Sequence, residues 1–310
     1  MENLQINKIL VPIDYSETSM NALHVAIAMS NRHKAIINLL FVIEPRQYIA
    51  ISSDALIFDF SQEDIIKEEI KRLGSLARRN SVTGTVECRI GDVPLNIIEA
   101  AHDFNADLIV MGTHGTSGIR AYFLGSDAYK VVKTAPCAVL TVPQNFTKTD
   151  FKEILFPVRP VEGALDKYDF TRKIIRKNDA HLTVFGVFQR DSRLETNLLT
   201  AMLDKLVVQL SQDEIKADIE WSNTVAWADA VLNRSQQFDI DLIVITSEID
   251  TTIEHFFVGP FAQQIVNHAK VPVLSIRPQP FKAIQMQPVN DMMNTMATMP
   301  QPFLTDLSVN

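Results

Sequence analysis

The stretch from Met111 to Lys130 has the glycine spacing of a phosphate-binding loop. Its sequence, MGTHGTSGIRAYFLGSDAYK, leaves an apolar strand, passes through a glycine-rich segment and enters a helix at Gly125-Ser126. Gly112 and Gly115 permit positive φ and let backbone N–H groups approach an anion closely. Ser126 and the amides after it form a helix N-terminus, whose free N–H groups and dipole favour phosphate. The alternative interpretation is a surface loop whose glycines only cap a helix.

Asp14 stands at the end of the first strand, on the edge where open parallel sheets bind ligands. Its carboxylate could accept hydrogen bonds from a ribose or an adenine edge, or it could cap the helix that begins near Ser16. The local sequence supports both roles. The chain has no Walker motif, which excludes a P-loop protein. Val142-Pro143 stands where a receiver domain would need a lysine.

His114 and Asp127 are the residues of the glycine-rich stretch that acid–base chemistry would use. His114 stands alone on the loop, and no second acid or base must lie beside it, so no catalytic residue is predicted. Asp127 is typical of a first helical turn. Facing a triphosphate, it would weaken binding by about 1 kcal/mol or more, unless Arg120 or Lys130 offset the repulsion. Weak binding of a highly charged phosphate ligand, or a preference for a less charged one, is the expected consequence of this carboxylate.

Short apolar strands alternate with helical patterns through the first half of the chain. The predicted strands are Lys8 to Ile13, Ile36 to Ile43, Thr85 to Ile90, Asp107 to Met111 and Cys137 to Val142. The predicted helices are Ser16 to Arg32, Gln62 to Asn80, Pro94 to Phe104 and Ser126 to Lys133. Strands that are apolar throughout and alternate with helices indicate a parallel sheet covered on both faces.

The second half repeats this order. KEILFPV at Lys152 echoes KILVPI at Lys8, and the DLIV of Asp107 recurs at Asp241, 134 residues later. This is a duplication of a whole domain rather than a short-period repeat. The expected domains are residues 1–145 and 151–279, followed by a methionine- and proline-containing tail at 283–310.

Composition excludes several classes of protein. The net charge is −8 and no Lys/Arg run occurs, which disfavours nucleic acid as a partner. No apolar run reaches the ~18–20 residues of a membrane span, and no signal-peptide pattern begins the chain. Cys88 and Cys137 are expected to be buried thiols rather than a disulfide. A cytoplasmic location, without membrane partners, is therefore predicted.

The motif in the first half resembles that of the universal stress protein family, in its ATP-binding branch. The match is glycine, two residues, glycine, nine residues and then glycine-serine, as at Gly112, Gly115, Gly125 and Ser126. ILVPIDYSETSMNAL and APCAVLTVP are similar to the family's first strand and helix and to its last strand. The resemblance is strong over residues 5–143 and weak over 152–278.

The resemblance implies two tandem Rossmann-like domains of the adenine nucleotide alpha hydrolase type, each a five-stranded parallel sheet flanked by helices. It implies that Asp14 and the backbone of Val42 contact adenine or ribose, and that Mg²⁺ would accompany the nucleotide. The full set of implied nucleotide contacts is Pro12, Asp14, Val42, Met111, Gly112, His114, Gly115, Gly125, Ser126 and Asp127. It also implies that edge strands near Val139 and Val273 meet, which makes the two domains an internal pseudo-dimer. A homodimer of the whole chain stays open.

The second half lacks the phosphate motif. Thr246 and Ile249 replace Gly112 and Gly115, and β-branched residues suit left-handed φ poorly. The other replacements are Pro260 for Ser126, which removes an N–H donor, and Arg159 for Asp14. This domain is predicted to have a structural role. A different pocket, lined by Arg159, Glu248 and Glu254, is the alternative.

The resemblance favours a stress-response protein that senses or buffers an adenine nucleotide, ATP first. Two other hypotheses stay open at this point. One is a slow ATPase or phosphotransferase that uses His114 or Asp127. The other is a scaffold whose first site is vestigial.

Overall fold

A computed structural model describes residues 5–44, 62–113, 126–188, 192–247 and 260–277. Within these ranges the first half contains β1 (Lys8–Pro12), α1 (Glu17–His33), β2 (Ile36–Ile43), α2 (Gln62–Arg79), β3 (Gly84–Ile90), α3 (Val93–Phe104), β4 (Leu108–Gly112), α4 (Ser126–Thr134) and β5 (Ala138–Val142). The second half contains β6 (Glu153–Val158), α5 (Tyr168–Asn178), β7 (His181–Phe188), α6 (Arg193–Gln212), β8 (Ala217–Asn223), α7 (Trp227–Gln237), β9 (Leu242–Thr246), α8 (Pro260–His268) and β10 (Val273–Ile276).

The described strands form one sheet in the order β3-β2-β1-β4-β5-β10-β9-β6-β7-β8. Each half is parallel throughout and has its first strand in the centre, which is the Rossmann-like order. Strands β5 and β10 join the halves in antiparallel register, with Val139 opposite Ser275 and Val273 opposite Thr141. The predicted α/β fold class and the predicted meeting of the edge strands are confirmed.

Two hydrophobic layers cover the sheet, one on each face. Helices α1, α2, α5 and α6 pack on one face, and α3, α4, α7 and α8 pack on the other. Strand β1 shows why both layers form: Ile9 and Val11 face the first layer while Leu10 faces the second, and all three are fully buried. A strand buried on both sides must be apolar throughout, as the sequence is.

The DLIV repeat marks the same structural anchor in both halves. The Asp107 carboxylate accepts hydrogen bonds from the backbone N–H groups of Asn7 (2.7 Å) and Lys8 (3.0 Å). Asp241 accepts in the same way from Lys152 (2.8 Å) and Glu153 (3.0 Å). In each half, the carboxylate therefore ties the start of the central strand to the start of its neighbour.

A second anchor has diverged between the halves. His33 Nδ1 accepts from the Ile6 N–H at 3.2 Å, and Asn178 Oδ1 accepts from the Phe151 N–H at the same distance. His33 is 1 % exposed. Burial, with help from neighbouring cations, lowers the pKa of His33 to about 4, so the ring is neutral at pH 7.

Both cysteines are free thiols and are only half-buried, so they are more exposed than expected. Burial and nearby carboxylates raise the pKa of Cys88 to about 11. A protonated thiol is a poor nucleophile, which fits a structural role. As for the helices, none in the described ranges has both the length and the apolar composition needed to cross a membrane.

Candidate functional site

The first domain brings several of the implied contacts together at the carboxyl edge of its sheet. Strand β1 lies between β2 and β4, and Leu10 pairs with Ile109, so Pro12 and Met111 end neighbouring strands at the same level. Asp14 and Val42 lie at the same edge, and both are partly exposed. Here the strand order reverses direction, which is where doubly wound sheets open a crevice for ligands.

Asp14 is held by the turn that starts α1. Its Oδ1 accepts from the backbone N–H of Ser16 at 3.0 Å and from the Ser16 hydroxyl. Ser16 is itself the N-cap, because its Oγ accepts from the Ser19 N–H at 3.2 Å. The helix-capping alternative therefore belongs to Ser16, and Asp14 supports that cap. The same contacts fix the direction of a carboxylate at the open edge of the sheet.

Gly112 has a packing requirement that the sequence did not predict. Its φ does not lie in the left-handed region. A Cβ at this position would lie 2.9 Å from the backbone carbon of Thr18 and 2.9 Å from its Cβ, closer than real Cβ atoms approach. Glycine is needed because the end of β4 presses against the first turn of α1. The expected positive φ is wrong for Gly112, and the expected approach of its backbone to an anion stays a prediction.

The residue that follows β4 and the first turn of α4 both have defined positions. The Thr113 N–H donates to the Val142 carbonyl at 3.2 Å, and Thr113 is buried. Helix α4 begins at Ser126, with Asp127 partly exposed in its first turn, where a carboxylate is favoured by the dipole. Ala128 and Val131 bury the other side of this helix. His114, Gly115 and Gly125 lie outside the described residues.

Tyr15, the residue next to Asp14, makes contacts that sequence reasoning missed. Its φ is 63°, and its hydroxyl donates to the Glu69 carboxylate on α2. The Arg72 guanidinium carbon lies 3.8 Å from the centre of the Tyr15 ring. Burial and Glu69 raise the pKa of the Tyr15 hydroxyl well above its usual range, so it remains a donor. The residue beside Asp14 is thus tied to α2, a contact that no local sequence pattern reveals.

The matching edge of the second domain carries positive charge. Arg159 follows Pro157 by two residues, as Asp14 follows Pro12, and it is 8 % exposed. Its guanidinium carbon lies 4.2 Å from the Phe261 ring centre and 5.3 Å from that of Trp227. Burial lowers the Arg159 pKa to about 10, which leaves it charged at pH 7.

The loop after Arg159 explains how Thr246 replaces Gly112. Helix α1 begins three residues after Asp14, but α5 begins nine residues after Arg159. The intervening turn contains Gly163 at φ 75° and brings the Ala164 carbonyl within 3.4 Å of Thr246 Oγ1. The helix turn that would clash with a side chain at this point has moved away.

Lys167 lies in the same turn and was also missed. It is 3 % exposed, its ammonium donates to the Pro157 carbonyl at 2.6 Å, and it lies 4.5 Å from the Phe156 ring centre. Burial, and secondly the charge of Arg159, lower the Lys167 pKa to about 7. Ile249, Glu248 and Glu254 lie outside the described residues, and of Pro260 only its place at the start of α8 is described.

Metal and acid–base chemistry find little support in the described ranges. No three His, Cys, Asp or Glu side chains there come together as metal ligands. Asp14 and Asp127 are two of the carboxylates at the first-domain edge, and each is placed next to a helix start.

The ten strands of the described residues, in two Rossmann-like halves, define a tandem α/β protein. The model of the universal stress protein family matches residues 5–143 and again residues 150–277. The chain belongs to the universal stress protein family and contains two of its domains in tandem.

Individual relatives agree with this assignment. A universal stress protein of Methanocaldococcus jannaschii is 34% identical over 145 residues, which is 46% of this chain and 84% of that protein. The crystal structure of a universal stress protein from Archaeoglobus fulgidus covers 89% of this chain and 100% of its own, with a TM-score of 0.69 and 18% identity. A Pseudomonas aeruginosa protein described as functionally unknown has a TM-score of 0.63 and 17% identity, with 89% of this chain and 94% of its own covered. These two structures show the fold alone.

Proposed function

We propose that the first domain binds an adenine nucleotide, ATP foremost and otherwise ADP or AMP, and that the protein senses or regulates through this binding. The observation that carries the proposal is the Asp14 carboxylate, fixed by Ser16 at the carboxyl end of β1 and beside the crevice between β1 and β4. For a member of the universal stress protein family with this motif, the resemblance implies an adenine or ribose contact at this position.

Each described part of the edge has a role in the proposal. Asp14 accepts hydrogen bonds from a ribose hydroxyl or an adenine edge, and Pro12, Val42 and Met111 supply the apolar wall. The backbone that starts at Gly112 turns towards the phosphates, and the first N–H groups of α4 face them with the positive end of the helix dipole. His114, Gly115 and Gly125 complete the cradle in this proposal.

The nucleotide would bring its own cation. Carboxylate oxygens such as those of Asp127 suit Mg²⁺, but Mg²⁺ is normally held by few carboxylates together with substrate phosphates. Asp127 repels a bare triphosphate and tolerates a magnesium-bound one. Mg²⁺ would neutralise phosphate charge here, and the chain itself would position the nucleotide.

The second domain has a structural role in this proposal. Arg159 and Thr246 replace Asp14 and Gly112, and the α1 turn that packs on Gly112 has no counterpart. Its β10 pairs with β5, so it completes the sheet of the first domain. Binding of nucleotide next to that shared sheet would favour one conformation, which a partner protein could read. Because only the first domain has the motif, the proposal gives one nucleotide per chain. It also places the protein in the cytoplasm.

The test is the nucleotide content of the purified protein. The wild-type chain is purified without added nucleotide and denatured, and the released small molecules are separated by anion exchange. We expect adenine nucleotide near one per chain from the wild type, and a large loss from Asp14→Asn and Gly115→Val. Asp103→Asn, an exposed acid on α3, is the matched control and should keep its nucleotide. An empty wild type that shows no thermal shift with millimolar ATP would contradict the proposal and favour a scaffold.

A further inference from the structure

The carboxyl edge of the second domain places Arg159 and Ser247 side by side. Strands β6 and β9 are parallel neighbours, with Leu155 opposite Ile243. Arg159 and Ser247 each follow that pair by four residues, so they lie at the same level. Side chains alternate along a strand, and Leu155 and Ile243 both face the layer of α7 and α8. Arg159 and Ser247 are therefore on that same face.

The aromatic contacts of Arg159 confirm this direction. Phe261 lies in the first turn of α8 and Trp227 begins α7, and both rings lie near the guanidinium. The Ser247 backbone N–H donates to the Ile276 carbonyl at 2.9 Å, which keeps the serine in line with β9. Strand ends and helix starts thus enclose one small region around Arg159.

Two hydrogen-bonding groups in this region have no partner among the described residues. Ser247 Oγ and Trp227 Nε1 are buried atoms without a hydrogen-bond partner anywhere in residues 5–44, 62–113, 126–188, 192–247 or 260–277. Ser247 is 3% exposed. A buried donor without a partner costs free energy that a suitable ligand would recover. Both groups can donate to the same kind of acceptor.

Among the described residues, Arg159 brings a positive charge to this region. At the equivalent positions the first domain has Asp14 and Asp127, whereas the second has Arg159 and Phe261. Two negative charges are thus replaced by one positive charge and an aromatic ring. Lys167 lies on the opposite face of the strand end, where its ammonium donates to the Pro157 carbonyl, so it is not part of this region. A guanidinium packed over an aromatic ring still presents its N–H groups in its own plane, the geometry that oxyanions prefer.

We infer that Arg159, Ser247 and Trp227 form a separate oxyanion site in the second domain, which takes a phosphate group. The phosphate can be free inorganic phosphate or the phosphate of a small metabolite. Arg159 supplies the charge, Ser247 Oγ and Trp227 Nε1 donate hydrogen bonds, and Phe261 walls the site. This site is independent of the nucleotide crevice in the first domain and of its occupancy.

The test uses the fluorescence of Trp227. The chain has two tryptophans, so Trp221→Phe leaves Trp227 as the only reporter, and it lies in the second domain. Sodium phosphate is titrated into this full-length protein, with sodium chloride at matched ionic strength as the reference. AMP is titrated in parallel into a Trp221→Phe protein that also carries Asp14→Asn, so that the first domain does not contribute. Comparing the two titrations distinguishes free phosphate from a phosphate ester.

We expect a saturable change in Trp227 emission with phosphate and none with chloride. Arg159→Gln should weaken the apparent affinity at least tenfold, and Ser247→Ala should weaken it several-fold. Lys216→Gln, which removes an exposed charge at the other end of the sheet, is the matched control and should leave the titration unchanged. Circular dichroism establishes that each variant is folded.

Two results would overturn the inference. One is the absence of any saturable phosphate response in the Trp221→Phe protein. The other is a wild-type affinity for phosphate in both single variants, Ser247→Ala and Arg159→Gln. If Arg159→Gln does not fold, Arg159→Lys takes its place. In either case Arg159 would have only a packing role, at the place in the second domain that corresponds to the ligand edge of the first.

Discussion

Leu140 and Leu274 lie directly opposite each other where β5 meets β10, and each occupies the same position in its own domain. The two residues are 134 residues apart, the same separation as the two DLIV sequences. A pseudo-two-fold axis therefore passes through this pair, as in a symmetric dimer whose interface is self-complementary. Both side chains are fully buried. The junction of the domains is a packed core rather than a linker contact.

We expect Leu140→Ala and Leu274→Ala to lower the free energy of unfolding by similar amounts, about 2–5 kcal/mol each. The double variant should lose less than the sum, because facing residues share one packing environment. Urea denaturation of the four proteins gives the coupling energy. Ile36→Ala, at a 40% exposed residue, is the control and should cost far less. Strictly additive losses would contradict a shared axis contact.

Replacing Gly112 by alanine tests why that glycine is there. The new Cβ would lie 2.9 Å from Thr18, so either β4 or α1 must shift, at a cost of about 1–3 kcal/mol. Gly74→Ala in α2 is the matched control, because its Cβ would have only Arg78 nearby, at 3.5 Å. That control should stabilise by about 0.5–1 kcal/mol through helix propensity. Equal effects of the two substitutions would refute the packing argument.

Stability should fall in acid because of His33. Its pKa is about 4 in the fold and about 6.5 in the unfolded chain, so the unfolded chain binds more protons between these values. The contribution is complete above pH 6.5 and is lost as the pH falls towards 4. The loss is on the order of 1–2 kcal/mol, once solvent screening is allowed for.

His33→Asn should remove this acid-sensitive step and keep the fold, since Asn178 already makes the equivalent bond in the second domain. Urea midpoints at pH 4.5, 5.5 and 7 measure the change. His24→Asn, on the exposed side of α1, is the control and should retain the wild-type slope. A His33→Asn protein with the wild-type slope would show that other groups cause the acid sensitivity.

Lys167 should make the free energy of unfolding depend on pH above neutrality. Its pKa is about 7 in the fold and about 10.4 when unfolded, so the unfolded chain again binds more protons between these values. The Lys167 contribution to wild-type stability should therefore rise from pH 7 towards pH 9, and above pH 9 the raised pKa of Cys88 acts in the opposite direction. Lys167→Met, which cannot titrate, should be more stable than wild type at pH 6 by on the order of 2–4 kcal/mol.

This advantage should shrink steadily as the pH rises through 7 towards 10. Thermal unfolding across that range, beside the exposed control Lys216→Met, provides the measurement. A constant difference between wild type and Lys167→Met at all pH values would mean that the amine is not buried as a charge.

The order of the elements could be predicted because burial leaves a local pattern. The expected helix from Ser16 to Arg32 is observed as Glu17–His33, and the expected strand from Ile36 to Ile43 is observed at those residues. The meeting of the two edge strands followed from the resemblance, whereas their antiparallel direction was not predicted. Periodicity reports which faces are buried, and that suffices for a sheet with helices on both faces.

The details of the candidate site depend on contacts between distant residues, which no window of sequence contains. Tyr15 bonds Glu69 across 54 residues, and Gly112 is required by Thr18 on another element. Lys167 is buried only because α5 starts late. The roles of His114, Gly115 and Gly125 stay predictions.

Because the two domains belong to one chain, the ligand edges of their sheets need not have identical residues. In an association of identical chains, a change of Asp14 to arginine would alter both sites at once. Here the β5–β10 pairing holds the same symmetric interface while each copy mutates alone, so Asp14 persists in one domain and Arg159 in the other. One gene can thus evolve two different specificities at a fixed one-to-one ratio.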